Sequence, residues 1–116
     1  MASSKTWVRL AGLSGASSVG MAAYGAHGVS HLDSQFKMVF DNGNKLHMAH
    51  SMAVLAGASS VKCLRAPSLT LGLFTAGIGL FAGSCYGAAL TENRSNGRLA
   101  PVGGTALIAA WLSLIP

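Results

Sequence analysis

The amino-acid sequence predicts an all-α membrane protein with four transmembrane helices in a compact bundle and a short amphipathic interfacial helix between the first and second spans. Three observations lead to this fold class. Only 9% of the 116 residues are charged, whereas a soluble domain typically has about 25%. The mean hydropathy is +0.48. Four stretches, at 10–32, 46–61, 66–91 and 99–116, contain no Asp, Glu, Lys or Arg. The length corresponds to a single membrane domain over residues 1–116.

The uncharged stretches define where the spans are expected. A helix that crosses a bilayer needs about 17 to 25 residues, and the predicted spans are about 10–28, 45–61, 67–90 and 99–115. The second stretch is slightly short, but lysines at both of its ends can extend their ammonium groups to the interface. In the last span, Pro101 suits the first turn of a helix.

The segment between the first two spans has its own pattern. Residues 33–42 belong to a run of charges of alternating sign spaced by four, with aromatic residues on the opposite side. This pattern predicts a short amphipathic helix at the membrane interface, resting on lipid or on the bundle. Gly43, within Asn-Gly-Asn, is predicted to end that helix. The alternative is a continuous helix with one stripe formed by Phe36, Phe40, Gly43, His47, His50 and Val54.

In the third span, glycines recur at a spacing of four, at Gly79, Gly83 and Gly87. Small residues at this spacing lie on one helix face and let two membrane helices approach closely. The ridge is therefore predicted to be a helix-packing surface, either within its own bundle or against a partner.

Four histidines are the main chemical signal, and they are His27, His31, His47 and His50. Because the first two spans are antiparallel neighbours, all four rings are expected near the same membrane surface. The favoured interpretation is hydrogen bonding between helices or at the interface. A zinc site, a haem ligand and a proton relay are the alternatives. Ser51 and Cys85 have no evident acid partner, so no catalytic, cofactor-binding or metal-binding residue is assigned and no enzyme is expected.

Charge and cysteine content restrict the partners. The net charge is +5, but no basic patch is interleaved with aromatic residues, so nucleic acid is not expected as a partner. In a membrane protein such charges set orientation or contact anionic lipid headgroups, and membrane lipids are therefore expected partners. Lys and Arg divide equally between the two sides of the predicted bundle, which leaves the orientation open.

Cys63 and Cys85 are expected at different depths, too far apart for a disulfide.

Four segments resemble the transmembrane protein 256 family of small membrane proteins, which has bacterial relatives of unknown function. They are "GLSGASSVGMAAYGAHG" at 12–28, "FDNGNKLHMAHSMAVL" at 40–55, "FAGSCYGAAL" at 81–90 and "APVGGTALIAAWLSL" at 100–114. Each segment alone is a weak apolar motif, but all four occur in the expected order. The resemblance implies a four-helix membrane protein and, for a eukaryotic member, a mitochondrial inner-membrane location. It implies no catalytic activity.

These observations together predict a non-catalytic, multi-pass protein of the mitochondrial inner membrane. The first 32 residues are basic, rich in serine and free of acidic side chains, which is typical of a mitochondrial address. A small protein without an evident site acts through contacts, so we expect an accessory or assembly subunit of a larger membrane complex, such as a respiratory-chain complex or supercomplex. The alternative is a small transporter or a metal- or haem-binding membrane protein that uses His27, His47 and His50.

Overall fold

The computed structural model describes residues 3–116, and within that range it contains helices and no strands. The four α-helices are α1 (Ser4–His27), α2 (Ser34–Ser59), α3 (Pro67–Thr91) and α4 (Ala100–Leu112). Short 3₁₀ turns at Val61–Cys63 and Arg94–Gly97 lie in the connections before α3 and α4. The prediction of an all-helical chain with four main helices is confirmed.

Local sequence explains where several helices begin and end. The side chain of Ser3 caps α1 by accepting a hydrogen bond from the backbone N–H of Thr6 at 3.3 Å. Both α3 and α4 carry a proline in their first turn, where the missing N–H has no intrahelical partner. The position expected for Pro101 is thus confirmed. Helix α3 ends at Thr91, and the next residue, Glu92, has a φ of 52° in the left-handed region, which turns the chain away.

Helix α2 continues without a break through Asn-Gly-Asn, so the separate interfacial helix predicted over 33–42 is wrong. Those residues form the first turns of α2 instead. Gly43 is buried against α3, where an added Cβ would lie 2.5 Å from the Cβ of Cys85. The glycine therefore permits a close helix approach rather than ending a helix. The continuous-helix alternative is confirmed, because its whole stripe is buried: Phe36, Phe40, Gly43, His47, His50 and Val54.

The helices form an antiparallel up-and-down bundle in which each packs on the next. Three contacts between side chains and glycines define the register. Gly25 of α1 faces Phe40 of α2, Gly57 of α2 faces Leu71 of α3, and Gly77 of α3 faces Leu107 of α4. The apolar core has two parts. One contains Ala11, Val54, Leu71, Phe74, Ile78, Leu107 and Ala110. The other contains Val29, Leu32, Phe36, Phe40 and Ala89.

This register separates the charged residues into two groups. The basic end, defined by Lys5, Arg9, Lys62 and Arg65, combines the start of α1 with the connection between α2 and α3. The mixed-charge end contains Asp33, Lys37, Asp41, Lys45, Glu92, Arg94 and Arg98. There the Arg94 guanidinium donates to the side-chain oxygen of Gln35 at 2.7 Å, which holds the connection before α4 against the start of α2. An uncharged belt separates the two ends.

Length and hydropathy support one of the four predicted spans. Within residues 3–116, only α3 is long and apolar enough to cross a membrane on those criteria, so four transmembrane helices are not confirmed. Helix α4 has 13 residues, which corresponds to about 20 Å at 1.5 Å per residue. It is shorter than the predicted span over 99–115.

Candidate functional site

The four histidines do not form one cluster. His27 is the last residue of α1 and His31 lies in the following connection, and both are exposed at the mixed-charge end. His47 and His50 are buried in the middle of α2. His47 lies about 20 Å along the helix from Ser34, at 1.5 Å per residue. The prediction that all four rings lie near the same surface is therefore wrong, because the unbroken α2 carries two of them into the bundle.

His50 links α2 to α4 and uses both ring nitrogens. Its Nδ1–H donates to the carbonyl oxygen of Leu46 at 2.8 Å, and the indole N–H of Trp111 donates to its Nε2 at 3.0 Å. A carbonyl only accepts and an indole only donates, so the imidazole is neutral with its proton on Nδ1. The ring also packs beside Phe74 of α3 at a centroid distance of 5.8 Å. Coordination of a metal or haem iron would require one of these hydrogen bonds to break.

His47 is the centre of a second set of hydrogen bonds, which crosses three helices. Its Nδ1 lies 2.9 Å from the hydroxyl of Tyr86 in α3, and its Nε2 lies 3.4 Å from the hydroxyl of Ser17 in α1. The Ser17 hydroxyl donates to the carbonyl oxygen of Ser14 at 2.9 Å, so it is free to accept from Nε2–H. The Tyr86 hydroxyl then donates to Nδ1. This assignment gives every donor an acceptor, and His47 has the opposite tautomer to His50.

Asn44 completes this second set one turn earlier on α2. Its amide donates to the carbonyl oxygen of Ser18 at 2.8 Å and to the Tyr86 hydroxyl at 3.1 Å. Further along the same interface, Ser51 donates to the carbonyl oxygen of His47 at 2.7 Å, and its oxygen lies 2.5 Å from that of Ser14. The contact between α1 and α2 is therefore largely polar in its middle.

The hydrogen bonds of His47 and His50 hold the helices of the bundle together. Within residues 3–116, no buried side-chain nitrogen or oxygen lacks a hydrogen-bond partner. Over the same part of the chain, no group of three or more His, Cys, Asp or Glu side chains is placed to hold a metal ion. The favoured interpretation, hydrogen bonding between helices, is confirmed for His47 and His50. Hydrogen bonds of this kind are a common source of contact between membrane helices.

Sequence reasoning missed the partners of these histidines. Trp111 is half exposed, and its indole N–H bonds to His50. Asn44 and Tyr86, which bond to each other, have no local pattern that marks them as partners of this set. The one available signal was the buried stripe of the continuous α2, because a polar residue on that stripe must find a partner on a neighbouring helix.

The predicted glycine ridge does not pack within this chain over most of its length. A Cβ added at Gly79 or Gly83 would meet nothing within 4 Å, and one at Gly87 would meet only Asn96, at 3.7 Å and beyond. The close contact between α3 and α4 instead involves Gly77 and Gly103. Contact of the Gly79–Gly83 face with a partner stays a prediction.

Buried interhelical hydrogen bonds between four packed helices define the class as a small helical bundle. The chain belongs to the DUF423 family, which is described as a protein of unknown function, and the match covers residues 21–104. Several similar proteins are bacterial. A UPF0382 membrane protein of Haemophilus influenzae is 34% identical over 110 residues, which cover 93% of this chain and 89% of the relative.

Two further relatives have the same description. The UPF0382 membrane protein SH2409 of Staphylococcus haemolyticus is 35% identical over 117 residues, covering 96% of this chain and 93% of the relative. The UPF0382 membrane protein YwdK of Bacillus subtilis is 30% identical over 122 residues, covering 96% and 94%. These relatives support a membrane location for this chain. No solved structure matches it.

Proposed function

We propose that the chain crosses a membrane four times and acts there without catalysis, through contacts with lipid and with other proteins. The proposal that the chain crosses the membrane four times is supported by large apolar side chains that are exposed on every α-helix. Leu13 of α1, Met52 of α2, Leu69 of α3 and Ile108 of α4 are exposed by 71%, 63%, 56% and 62%. In water such a surface would favour aggregation, whereas in a membrane these side chains can contact the lipid acyl chains directly.

The low hydropathy of α2 does not argue against a span. Its polar residues, such as Asn44, His47 and His50, are hydrogen-bonded inside the bundle, so they present few unsatisfied groups to lipid. The uncharged part of α2 after Lys45, which ends at Ser59, has a length of about 21 Å at 1.5 Å per residue, and Lys62 follows three residues later. The two lysine side chains extend this reach towards the roughly 30 Å thickness of the hydrocarbon core.

The proposed role is that of an accessory or assembly subunit of a larger membrane complex. Two features support it. Every buried polar side-chain atom of the described residues 3–116 has a hydrogen-bond partner, and the face around Gly79 and Gly83 is open. A surface without side chains allows the backbone of another helix to approach closely, and small residues are enriched where membrane helices meet.

The proposed location is the mitochondrial inner membrane, with a respiratory-chain complex or supercomplex as the partner. The resemblance to the transmembrane protein 256 family and the basic, serine-rich and acid-free start of the chain support this location. The choice of a respiratory partner follows from the location.

Native electrophoresis after gentle detergent extraction tests the role. The wild-type chain is expected to migrate with a large complex, and Gly83→Leu is expected to release it as a small species. Gly20→Leu is the matched control, because Gly20 is equally open but lies on α1, and it should leave the large complex intact. Migration of the wild-type chain only as a free small species would contradict the proposal. So would equal behaviour of the two variants.

A further inference from the structure

Helix α1 is attached to the rest of the bundle largely by polar contacts. Only two of its residues are buried, Ala11 and Ser18, compared with eight residues of α2. In the middle of α2, the side chains of Asn44, His47 and Ser51 bond to three serines of α1. An element with few buried apolar contacts is among the first to open in a folded protein. The attachment of α1 therefore depends strongly on these hydrogen bonds.

The helices packed around His47 provide no counter-ion for a positive charge. Helices α1, α3 and α4 contain no Asp or Glu. The titratable side chains of α3 near this ring are Tyr86 and Cys85, and both are neutral groups at ordinary pH. The charged residues and the histidine of α1 lie at least about 12 Å along that helix from Ser17, at 1.5 Å per residue.

Helix α2 itself provides no counter-ion either. Its single acidic residue, Asp41, is exposed, and so is Lys45, the charged residue nearest to His47 in the sequence. His50 is bonded to other partners. The site therefore suits a neutral imidazole, and an imidazolium there would be buried without an opposite charge.

A second proton on His47 would also reverse the hydrogen bonds around it. In the neutral form the Tyr86 hydroxyl donates to Nδ1 and accepts from the Asn44 amide. Once Nδ1 carries a proton, that hydroxyl must accept from it, and its own hydrogen needs a new acceptor. The amide oxygen of Asn44 meets this need if the amide turns over. The oxygen then replaces the nitrogen that donates to the Ser18 carbonyl at 2.8 Å, and the bond to α1 is lost because both atoms are acceptors.

We propose that Asn44, His47 and Tyr86 form a proton-operated latch for α1. With His47 neutral, the latch is closed and α1 is held against α2. When His47 takes up a proton, the bond from Asn44 to Ser18 breaks and water enters between α1 and α2 to hydrate the charge, so that α1 moves away from the bundle. The opening occurs at α1 because this helix has so few buried side chains.

The position of His47 allows it to exchange protons with water. It lies about 3 Å along α2 from the exposed Lys45, at 1.5 Å per residue, and therefore close to the mixed-charge end. The latch is a property of this chain alone and does not depend on the proposed partner complex.

Two measurements on the full chain in nanodiscs test the latch. Nuclear magnetic resonance of ¹⁵N-labelled histidine reports the protonation of each ring between about pH 7.5 and about pH 4.5. At the upper value, His47 is expected to carry its proton on Nε2 and His50 on Nδ1. In this range His47 is expected to become an imidazolium.

Double electron–electron resonance between spin labels reports the position of α1. The labels are attached at Leu13→Cys on α1 and Ile108→Cys on α4, both exposed positions, in a background of Cys63→Ser and Cys85→Ala. A second, longer distance population should appear over the pH range in which His47 takes up its proton. The control pair, Met52→Cys on α2 with Ile108→Cys, does not include α1 and should keep a single distance.

Substitution of histidines identifies the group that responds. His47→Gln cannot take up a proton and should abolish the longer population at low pH. His27→Gln with His31→Gln removes the two exposed histidines and should leave that population unchanged.

Several results would overturn the latch. One is a constant distance from α1 to α4 while His47 becomes charged, and another is a His47 that stays neutral throughout the pH range. A longer population that persists in His47→Gln would also overturn it, as would an equal change in the control pair, which would mean general opening of the bundle. None of these results decides whether the chain joins a larger complex, which native electrophoresis tests separately.

Discussion

At Gly103 the backbone of α4 lies directly against that of α3, and its replacement by alanine tests the packing of the bundle. A Cβ at this position would lie 2.8 Å from the carbonyl carbon of Leu80 and from the Cα of Phe81, and closer still to the backbone nitrogen of Phe81. Backbone atoms cannot rotate away as a side chain can. The two helices must therefore separate, which disturbs the contacts along the rest of α4.

The neighbouring residue provides a matched control. A Cβ at Gly104 would meet only ring atoms of Phe81, at 3.7 and 3.9 Å, which is ordinary van der Waals contact. Both substitutions gain about 1 kcal/mol of intrinsic helix preference, so this gain cancels when the two variants are compared. Overpacking typically costs about 1 to 3 kcal/mol. Because backbone is involved, we expect Gly103→Ala to be less stable than Gly104→Ala by about 3 kcal/mol.

Reversible unfolding by sodium dodecyl sulfate in mixed micelles, followed by tryptophan fluorescence, measures this difference. Gly104→Ala should unfold at the same or a higher denaturant fraction than the wild-type chain, and Gly103→Ala at a clearly lower one. If the free energies of unfolding of the two variants agree within about 0.5 kcal/mol, α4 does not approach α3 in the way described and the reasoning is refuted.

Two further predictions concern the buried hydrogen bonds. Trp111→Phe keeps an aromatic ring but removes the donor to His50, and it should lower the free energy of unfolding by about 1 to 2 kcal/mol. Because this variant retains only Trp7, its unfolding is followed by the fluorescence of that residue, and an unchanged free energy would argue against the bond. Tyr86→Phe removes the hydroxyl shared by His47 and Asn44 and should lower the free energy of unfolding by about 1 kcal/mol. A double-mutant cycle with His47→Phe should give a coupling energy different from zero.

Tyr24→Phe is the control for the Tyr86 substitution. Tyr24 also packs against Phe40, at a centroid distance of 6.4 Å compared with 5.1 Å for Tyr86, but it is 47% exposed. Removal of its hydroxyl should therefore change stability by less than about 0.5 kcal/mol. An equal loss in both variants would mean that the Tyr86 effect does not arise from the buried hydrogen bonds.

The general form of the fold could be predicted from the sequence because its strongest signals are local. Proline in a first turn marks the start of α3 and of α4, and long uncharged stretches mark the positions of the helices. The sequence also contains the pattern of α2, because the stripe from Phe36 to Val54 has the period of one helix face. The structure shows that this stripe is buried.

The rest depended on tertiary contacts that local patterns do not contain. Asn-Gly is a turn signal, yet Gly43 is used for close packing on Cys85, and the helix passes through it. Glycine spacing identifies a common face but not the neighbour that this face meets. The contact between α3 and α4 therefore uses Gly77, while Gly83 of the predicted ridge lies open. The wrong depth predicted for His47 and His50 has the same cause, because it assumed that a helix ends at Gly43.

Labelling of cysteines with a membrane-impermeant maleimide in sealed vesicles tests the four-span arrangement most directly. Native Cys63 is exposed at the basic end, and Ser30→Cys in a Cys63→Ser background reports on the exposed connection between α1 and α2. We predict that these two positions are labelled from opposite sides of the membrane. If α3 alone crosses it, both positions lie on one side, and labelling of both from the same side would contradict the account.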